Sequence, residues 1–360
     1  MARHDDYKRD RHPDGVAWEQ TWLEEMVDNP HQLPLRALMT ASGMAAFITV
    51  LAHVIRSASD GPFVVGTSTY HECRQLLHES GRSVIEIRED DLVAWREAIA
   101  LSPAAVFVDT LCNAASLAIT DVAALTRLLA DSDAFLVVDN TGLSMATQPW
   151  SRYPPPPRLR MMVFESLTKY AQLGLDRAAG GVIVTRSDEA EHLDELREHL
   201  GTNIADVVVH QHPIPKRNLL QRRLSRIGRN AEFIAERLNG LNTGKGNQVR
   251  IGHPGLGSHP GHETLAGFEF HGGCIAVEPT DRDPIAFSQE FIRTAIHLGA
   301  ARNVAICEGT SFGLDTTRIY LTSSTTTHGT PFLRIAAGTE DRLRMEAVAV
   351  VLAESLVATA

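Results

Sequence analysis

The chain has 360 residues, 44% of them hydrophobic and 22% charged, with a net charge of −10, which is enough apolar material for one large core and a second, smaller one. The acidic balance excludes a nucleic-acid footprint and a membrane-surface role, and no apolar run approaches the length of a spanning helix. Cys73, Cys112, Cys274 and Cys307 are scattered without paired spacing, so reduced thiols are expected rather than a disulfide framework or a thiolate zinc site. The amino terminus, MARHDDYKRDRHPDG, is too polar for a secretory signal, which makes the cytoplasm the expected compartment.

In chain order, the first strong element is TASGMAAFITVLAHVI (40–55), a helix apolar nearly all round. Ser42 is a good amino-terminal cap, leaving the Gly43 and Met44 amides at the positive helix end as a ready phosphate site; an ordinary capped core helix is the alternative. Six short apolar runs then read as strands: FVVG (63–66), SVIEI (83–87), AAVFV (104–108), AFLVV (134–138), MMVF (161–164) and GVIVT (181–185). CRQLLHES, DLVAWREAIA and DVAALTRLLA between them read as helices. Such alternation implies an α/β fold, a mainly parallel sheet with helices on both faces, which binds ligands at the carboxyl ends of its strands. PPPP (154–157) is expected as a surface loop. Beyond it come a basic amphipathic helix (217–238), strands at QVRI, CIAVE, NVAI and LRIA, and helices near 286–298 and 341–358, a smaller α+β domain. Within HPGLGSHPGH, the Gly and Pro residues between His253, His259 and His262 forbid a helical ligand face, so a structured loop is expected ahead of a metal site.

Two residues carry chemistry. Asp139 follows the strand AFLVV, and Lys169, thirty positions later in SLTKY, follows the next strand between the hydroxyls of Ser166 and Thr168. This is the arrangement pyridoxal phosphate requires: a lysine to form the Schiff base, a carboxylate to keep the pyridine nitrogen protonated, and hydroxyls for the phosphate. The alternative for these residues is a surface lysine and a turn or cap aspartate.

SGMAA, STYHECRQLL, DTLCNAASLAITDVAAL, VVDNTGLSMATQPW and SLTKY occur in the order found in the Cys/Met-metabolism pyridoxal phosphate enzymes, the cystathionine synthase and lyase family, which the chain resembles from Tyr7 to about Asp341. HPGLGSHPGHE, FLRIAAGTED and YKRDRHPD resemble further family segments. The resemblance implies the aminotransferase-type fold, with a seven-stranded, mainly parallel sheet sandwiched by helices and a smaller carboxy-terminal α+β domain. It divides the chain into an arm reaching the partner subunit (1–40), a cofactor-binding domain (41–215) and a small domain (216–360). It also implies roles: Lys169 as Schiff-base lysine and proton shuttle, Asp139 on the pyridinium nitrogen, and Tyr70 stacked over the ring and exchanging protons with substrate. Gly43, Met44, Ser166 and Thr168 would hold the phosphate, completed by Tyr7 and Arg9 of a neighbouring subunit in a homotetramer of two dimers. Asn113 would lie near the ring hydroxyl and the substrate, and Arg334 would clamp the substrate α-carboxylate through its planar guanidinium. The corresponding structural readings are turn residues for Tyr70 and Asn113, an edge-strand surface charge for Arg334, and an unordered tail for Tyr7 and Arg9.

Departures from the family pattern fall on substrate-facing positions. His71 and Glu72 replace two small residues after Tyr70, AQLGLD (171–176) replaces Leu-Asn-Gly-His-Ser-Asp, and Ala114 and Ala336 replace Pro and Ser. SFGLDTT (311–317) stands where a specificity Glu is common. The expected activity is elimination from a β- or γ-substituted L-amino acid, γ slightly ahead, in specialised metabolism; γ-replacement shares the same residues. A non-catalytic cofactor-binding member is the reading from another class, and it is disfavoured because Lys169 and Asp139 are both present. A nicotinamide-dependent dehydrogenase lacks its Gly-x-Gly-x-x-Gly after the first strand.

Overall fold

A computed structural model describes residues 13–241, 249–323 and 330–359. The chain forms two compact units, Met1–Leu111 with Thr120–Leu220, and Cys112–Ile119 with Gln221–Ala360.

In the first unit, strands β1 (Leu35–Thr40), β2 (Phe63–Gly66), β3 (Val84–Ile87), β4 (Ala105–Asp109), β5 (Phe135–Asp139), β6 (Arg160–Ser166) and β7 (Gly181–Arg186) form a seven-stranded sheet in the order β1-β7-β6-β5-β4-β2-β3. β2 through β6 pair in parallel, and β7 is antiparallel to both β6 and β1. The mainly parallel seven-stranded α/β architecture is the one expected. All six anticipated strands occur here; five of them lie inside the sheet, where strands covered on both faces are written as nearly continuous apolar runs, and β3 forms its edge. The helices are α1 (Pro13–Met26), α2 (Gly43–Ser57), α3 (His71–Glu79), α4 (Leu92–Ala100), α5 (Val122–Leu128), α6 (Pro149–Arg152), α7 (Ser187–Leu200) and α8 (Asp206–Val209). α2 buries eight of its residues and packs on β6, β7 and α7. Its Phe47 meets Phe107 and Phe164 with ring centroids 6.1 and 5.9 Å apart, tying the helix to the middle of the sheet.

Residues 13–40, assigned by resemblance to an arm, fold as α1 and β1 within this unit. Trp18 and Trp22 of α1 are buried and stacked 5.1 Å apart. Buried Arg197 of α7 donates to Glu19 Oε1 of α1 (2.6 Å), to the Met39 carbonyl of β1 (2.7 Å) and to Asp194 Oδ1 (2.5 Å). Paired charges with this many hydrogen bonds tolerate burial and lock three elements together.

In the second unit, α9 (Arg217–Leu241, its first turn in the first unit) precedes β8 (Val249–Gly252), β9 (Cys274–Pro279), α10 (Pro284–Ala301), β10 (Cys307–Glu308), β11 (Arg318–Thr322), β12 (Phe332–Ala336) and α11 (Arg342–Thr359). The sheet order is β10-β11-β12-β9-β8, antiparallel except between β10 and β11. Its core joins Phe287 and Phe291 of α10 to Val348, Leu352 and Leu356 of α11 and to the strands. NVAI, expected as a strand, is not one: pairing starts at Cys307 and lasts two residues. Asn303 lies in the left-handed region at φ 56° and Val304 donates to the Gly299 carbonyl, so the run is used to leave α10 rather than to enter a sheet. The four cysteines are free thiols. Among the described residues no helix is long and apolar enough to cross a membrane.

Candidate active site

The parallel strands end on one edge of the first sheet, and the chain's direction reverses there, since β3 lies outside β2 while β4, β5 and β6 follow on its other side. A crevice outside the carboxyl ends is the expected ligand position at such a reversal. Asp109 and Asp139 end β4 and β5 directly opposite each other. Asp139 Oδ1 accepts the Thr141 amide at 2.8 Å, and Thr141 Oγ1 accepts the Ser166 amide at 2.9 Å, so the ends of β5 and β6 are tied together. Burial lifts the Asp139 carboxyl to about 6, opposed by the Thr141 hydrogen bonds and by the charge of Lys169. Lys169 thus lies within electrostatic reach of Asp139, three residues beyond β6, where it caps a single 3-10 turn at Tyr170–Gln172.

The start of α2 meets the same edge. Ser42 caps the helix by accepting the Ala45 amide at 3.0 Å, and the first two amides, Gly43 and Met44, have no intrahelical acceptor. A Cβ on Gly43 would lie 2.7 Å from Ser166 Cβ, and one on Gly181 only 2.3 Å from the Ser42 carbonyl oxygen. Two glycines therefore let the helix end seat directly on the ends of β6 and β7. Ser166 Oγ and Thr168 Oγ1 are 2.9 Å apart beside it. Two amides at a positive helix end facing two hydroxyls form an anion cradle.

Tyr70 follows β2 and caps α3, partly exposed at 36%. The loop carrying it rests on two buried carboxylates: Glu89 Oε1 accepts the Ser68 amide at 2.7 Å, and Asp109 Oδ2 accepts the Tyr70 amide at 3.1 Å. Burial first, and then the Asp139 charge, hold Asp109 well above the usual carboxylate range, so of the facing pair it is the more readily protonated. Burial and then the negative charge of Glu72 push the Tyr70 phenol up to about 12. Buried Cys73 packs its sulfur 3.9 Å from Met44 Sδ, bringing α3 to the start of α2. On the same strand as Ser166, buried Glu165 accepts the Ser144 hydroxyl at 2.6 Å, and burial raises it to about 8.

The first unit thus assembles Gly43, Met44, Tyr70, Asp139, Ser166, Thr168 and Lys169. Asn113 and Arg334 belong to the second unit, and Tyr7 and Arg9 lie outside the described residues. Arg334 is 4% exposed on β12, between β11 and β9, and is neither a surface nor an edge-strand charge. Its Nη1 donates to Asn113 Oδ1 at 2.8 Å and its Nη2 to the Ser311 carbonyl at 3.4 Å, and it lies near the rings of Phe312 and Tyr320. The segment bearing Asn113 is held by the histidine-rich loop: His259 Nε2 donates to the Ser116 carbonyl at 2.8 Å while its Nδ1 accepts the Gly261 amide at 3.0 Å. His253 Nδ1 likewise accepts the Gly255 amide, and burial lowers this ring to about 4. Both Nδ1 nitrogens serve the loop's own backbone. Among the described residues no group of three or more His, Cys, Asp or Glu side chains is placed to hold a metal.

A sequence profile of the Cys/Met metabolism PLP-dependent enzymes matches residues 5–344. The chain belongs to this family. It is similar to the bifunctional enzyme flvA of Aspergillus flavus, 27% identical over 93% of this chain and 40% of that protein. A probable cystathionine gamma-synthase of Herpetosiphon aurantiacus is 29% identical over 76% of this chain and 81% of its own. The L-methionine gamma-lyase of Fusobacterium nucleatum is 28% identical over 67% and 62%. The chain thus spans less than two thirds of the length of the first and third of these relatives. Among solved structures, cystathionine gamma synthase from Xanthomonas oryzae superposes with a TM-score of 0.80 at 22% identity, over 99% of this chain and 89% of that one. A Campylobacter jejuni O-acetylhomoserine (thiol)-lyase carrying N'-pyridoxyl-lysine-5'-monophosphate gives 0.74 at 18%, over 98% and 88%. At these identities the likeness is one of fold.

Pyridoxal phosphate is the family's cofactor, and the residues present fit it. The cradle at α2 suits a phosphate, and the buried Asp139, with Asp109 able to carry the pair's proton, suits a protonated ring nitrogen. Sequence reasoning missed Asp109, Glu89 and Glu165. VFVDT repeats the pattern of LVVDN, an apolar run ending in Asp, so the signal that marked Asp139 also marks Asp109.

Proposed function

We propose that this protein catalyses pyridoxal phosphate-dependent elimination from a γ-substituted L-amino acid, such as a thioether, O-acyl or halogenated one, with β-substituted analogues as secondary substrates. The observation that carries the proposal is the seating of Gly43 on Ser166 at the end of β6, three residues before Lys169 and beside Asp139. The cofactor, when bound, supplies an electron-withdrawing ring that stabilises negative charge developing on the substrate carbons. Gly43, Met44, Ser166 and Thr168 hold its phosphate, Asp139 its ring nitrogen, and Lys169 its carbonyl carbon. Lys169 Nζ removes the Cα proton, and Lys169 or the Tyr70 hydroxyl carries protons to and from Cβ and Cγ as the γ-substituent departs. Arg334, oriented by Asn113, holds the α-carboxylate with its second guanidinium edge. Assembly is as a homotetramer of two dimers, with Tyr7 and Arg9 completing the neighbour's phosphate site.

γ-Replacement, in which a nucleophile takes the place of the departed group, is the second reading; the similarity to a probable cystathionine gamma-synthase favours it. Incubation with O-acyl, thioether and halogenated amino acids in heavy water, with products and label positions read by mass spectrometry, decides between them. γ-Elimination gives a 2-oxo acid deuterated at carbons derived from Cβ or Cγ, and replacement gives a new amino acid only when a nucleophile is added. Turnover confined to β-substituted substrates, with no Cβ exchange in γ-substituted ones, leaves a β-lyase and refutes the proposal.

A further inference from the structure

Four amides, those of Thr67, Ser68, Thr69 and Tyr70, lead from β2 to α3, and all four have acceptors. Thr67 donates to the Ile87 carbonyl at 2.9 Å and Thr69 to the Gly66 carbonyl at 3.1 Å. The other two go to side chains, Ser68 to Glu89 Oε1 at 2.7 Å and Tyr70 to Asp109 Oδ2 at 3.1 Å. These carboxylates arrive from opposite sides, because β2 lies between β3, which Glu89 follows by two residues, and β4, which Asp109 ends. Glu89 is 5% exposed, and its second oxygen, Oε2, accepts the Thr67 hydroxyl at 3.4 Å. Its reach depends on Gly66, where a Cβ would lie 2.6 Å from Glu89 Oε1.

We propose that Glu89 is the positioning residue for Tyr70: by holding the Ser68 amide it fixes the turn whose end places the phenol for the proton steps at Cβ and Cγ. The inference rests on the assignment of Tyr70 to those steps under the proposed function. The Thr67 bond continues the pairing of β2 with β3, and the Thr69 bond closes the turn on itself, so neither fixes the tilt of the turn over the sheet edge. Glu89 and Asp109 do, one at each of the remaining amides. Truncating Glu89 leaves the Ser68 amide to water, and the turn is then held only at Thr67 and Tyr70. Glutamine keeps an oxygen for the Ser68 amide and offers a hydrogen to Thr67 Oγ1, so Glu89→Gln retains the anchor. Gly66→Ala does the reverse: Glu89 stays in the chain, but the new methyl group drives the end of its side chain off the Ser68 amide.

The first test is made on the cofactor-free protein. Amide hydrogen exchange over residues 66–72, read by peptide mass spectrometry, should be about tenfold faster in Glu89→Ala and Gly66→Ala than in wild type, near wild type in Glu89→Gln, and unaltered in peptides from β5 and β6. The second test reads the proton steps in the holoenzyme. Norvaline has Cα and Cβ protons but no leaving group, and in heavy water wild type is expected to exchange both. Tyr70→Phe and Glu89→Ala should each lower the Cβ rate relative to the Cα rate by about tenfold or more, and Glu89→Gln should keep the wild-type ratio. A general loss of structure or of cofactor slows both positions together. Unaltered amide exchange in Glu89→Ala, or an unaltered Cβ to Cα ratio in it where Tyr70→Phe lowers that ratio, overturns the positioning role and leaves the proposed function standing. An unaltered ratio in Tyr70→Phe overturns the assignment of Tyr70 and this role with it. Exchange of neither proton in wild type overturns both proposals.

Discussion

The most direct structural lever on the cofactor cradle is one methyl group. In Gly43→Ala the new Cβ would sit 2.7 Å from Ser166 Cβ and 3.1 Å from Ser166 Cα, where ordinary contact begins at 3.4 Å; the overlap with Cβ is 3.4 − 2.7 = 0.7 Å. Neither atom can be rotated away, because both are fixed by the backbone. Nor can the strand retreat easily, since Ser166 is paired with Gly181 on β7 and its amide is bound to Thr141. The end of α2 is therefore the part that moves, and the Gly43 and Met44 amides move with it, away from the Ser166 and Thr168 hydroxyls. Overpacking of this kind costs about 1–3 kcal/mol, or roughly 5- to 150-fold in cofactor dissociation constant if it falls on the bound state. Global stability should change less, because alanine gains up to about 1 kcal/mol over glycine in a helix. Equilibrium binding of pyridoxal 5'-phosphate to the cofactor-free protein, alongside urea denaturation, separates the two effects. Wild-type cofactor affinity in Gly43→Ala would refute the cradle.

Three further predictions follow from the same edge of the sheet. Asp109→Asn should keep cofactor affinity within about threefold of wild type, because it mimics the protonated acid and still accepts the Tyr70 amide, whereas Asp109→Ala should lose about tenfold; equal losses in both would show that Asp109 is needed as an anion. Glu165, raised to about 8 in the folded protein from an ordinary value of 4.5, binds more protons folded than unfolded between those values. Its contribution therefore favours folding below about pH 4.5 and is progressively lost as pH rises towards 8, by a few kcal/mol in all. Glu165→Gln should accordingly gain in denaturant midpoint relative to wild type between pH 5 and pH 8, and parallel curves would contradict the buried protonated acid. Deleting residues 1–12 should weaken cofactor retention far more than folding, and a fully active monomer in sedimentation would dismiss the shared phosphate site.

Legibility in the sequence followed burial. β2 and β4 through β7 lie inside a mainly parallel sheet and are spelled as apolar runs, the edge strand β3 reads as VIEI, and α2 is spelled as an all-round apolar helix with a serine cap. α7 is not legible because its polar residues are used inward: Asp194 is buried against Arg36 of β1 at 3.2 Å, and Arg197 is buried beside Glu19. A local pattern cannot distinguish such charges from a solvated face. Asp139 and Lys169 are legible from their strand ends, Gly43 from the capped helix start and Tyr70 from motif order, but the contacts that position them are not, since Ser166 meets Gly43 across 123 positions and Asp109 meets Tyr70 across 39. The grouping of residues 112–119 with the second unit likewise depends on a bond from His259 to Ser116, 143 positions apart.

Lys169 is the residue on which the proposed chemistry depends, and the chain's composition makes the decisive measurement clean, since it holds only four lysines, Lys8, Lys169, Lys216 and Lys245. Borohydride reduction of the purified holoenzyme followed by peptide mass mapping should place one phosphopyridoxyl group per chain on the SLTKY peptide, and Lys169→Ala should lose both the label and turnover while remaining folded. A label on Lys8, Lys216 or Lys245, or a reducible linkage retained at wild-type level in Lys169→Ala, would contradict the assignment.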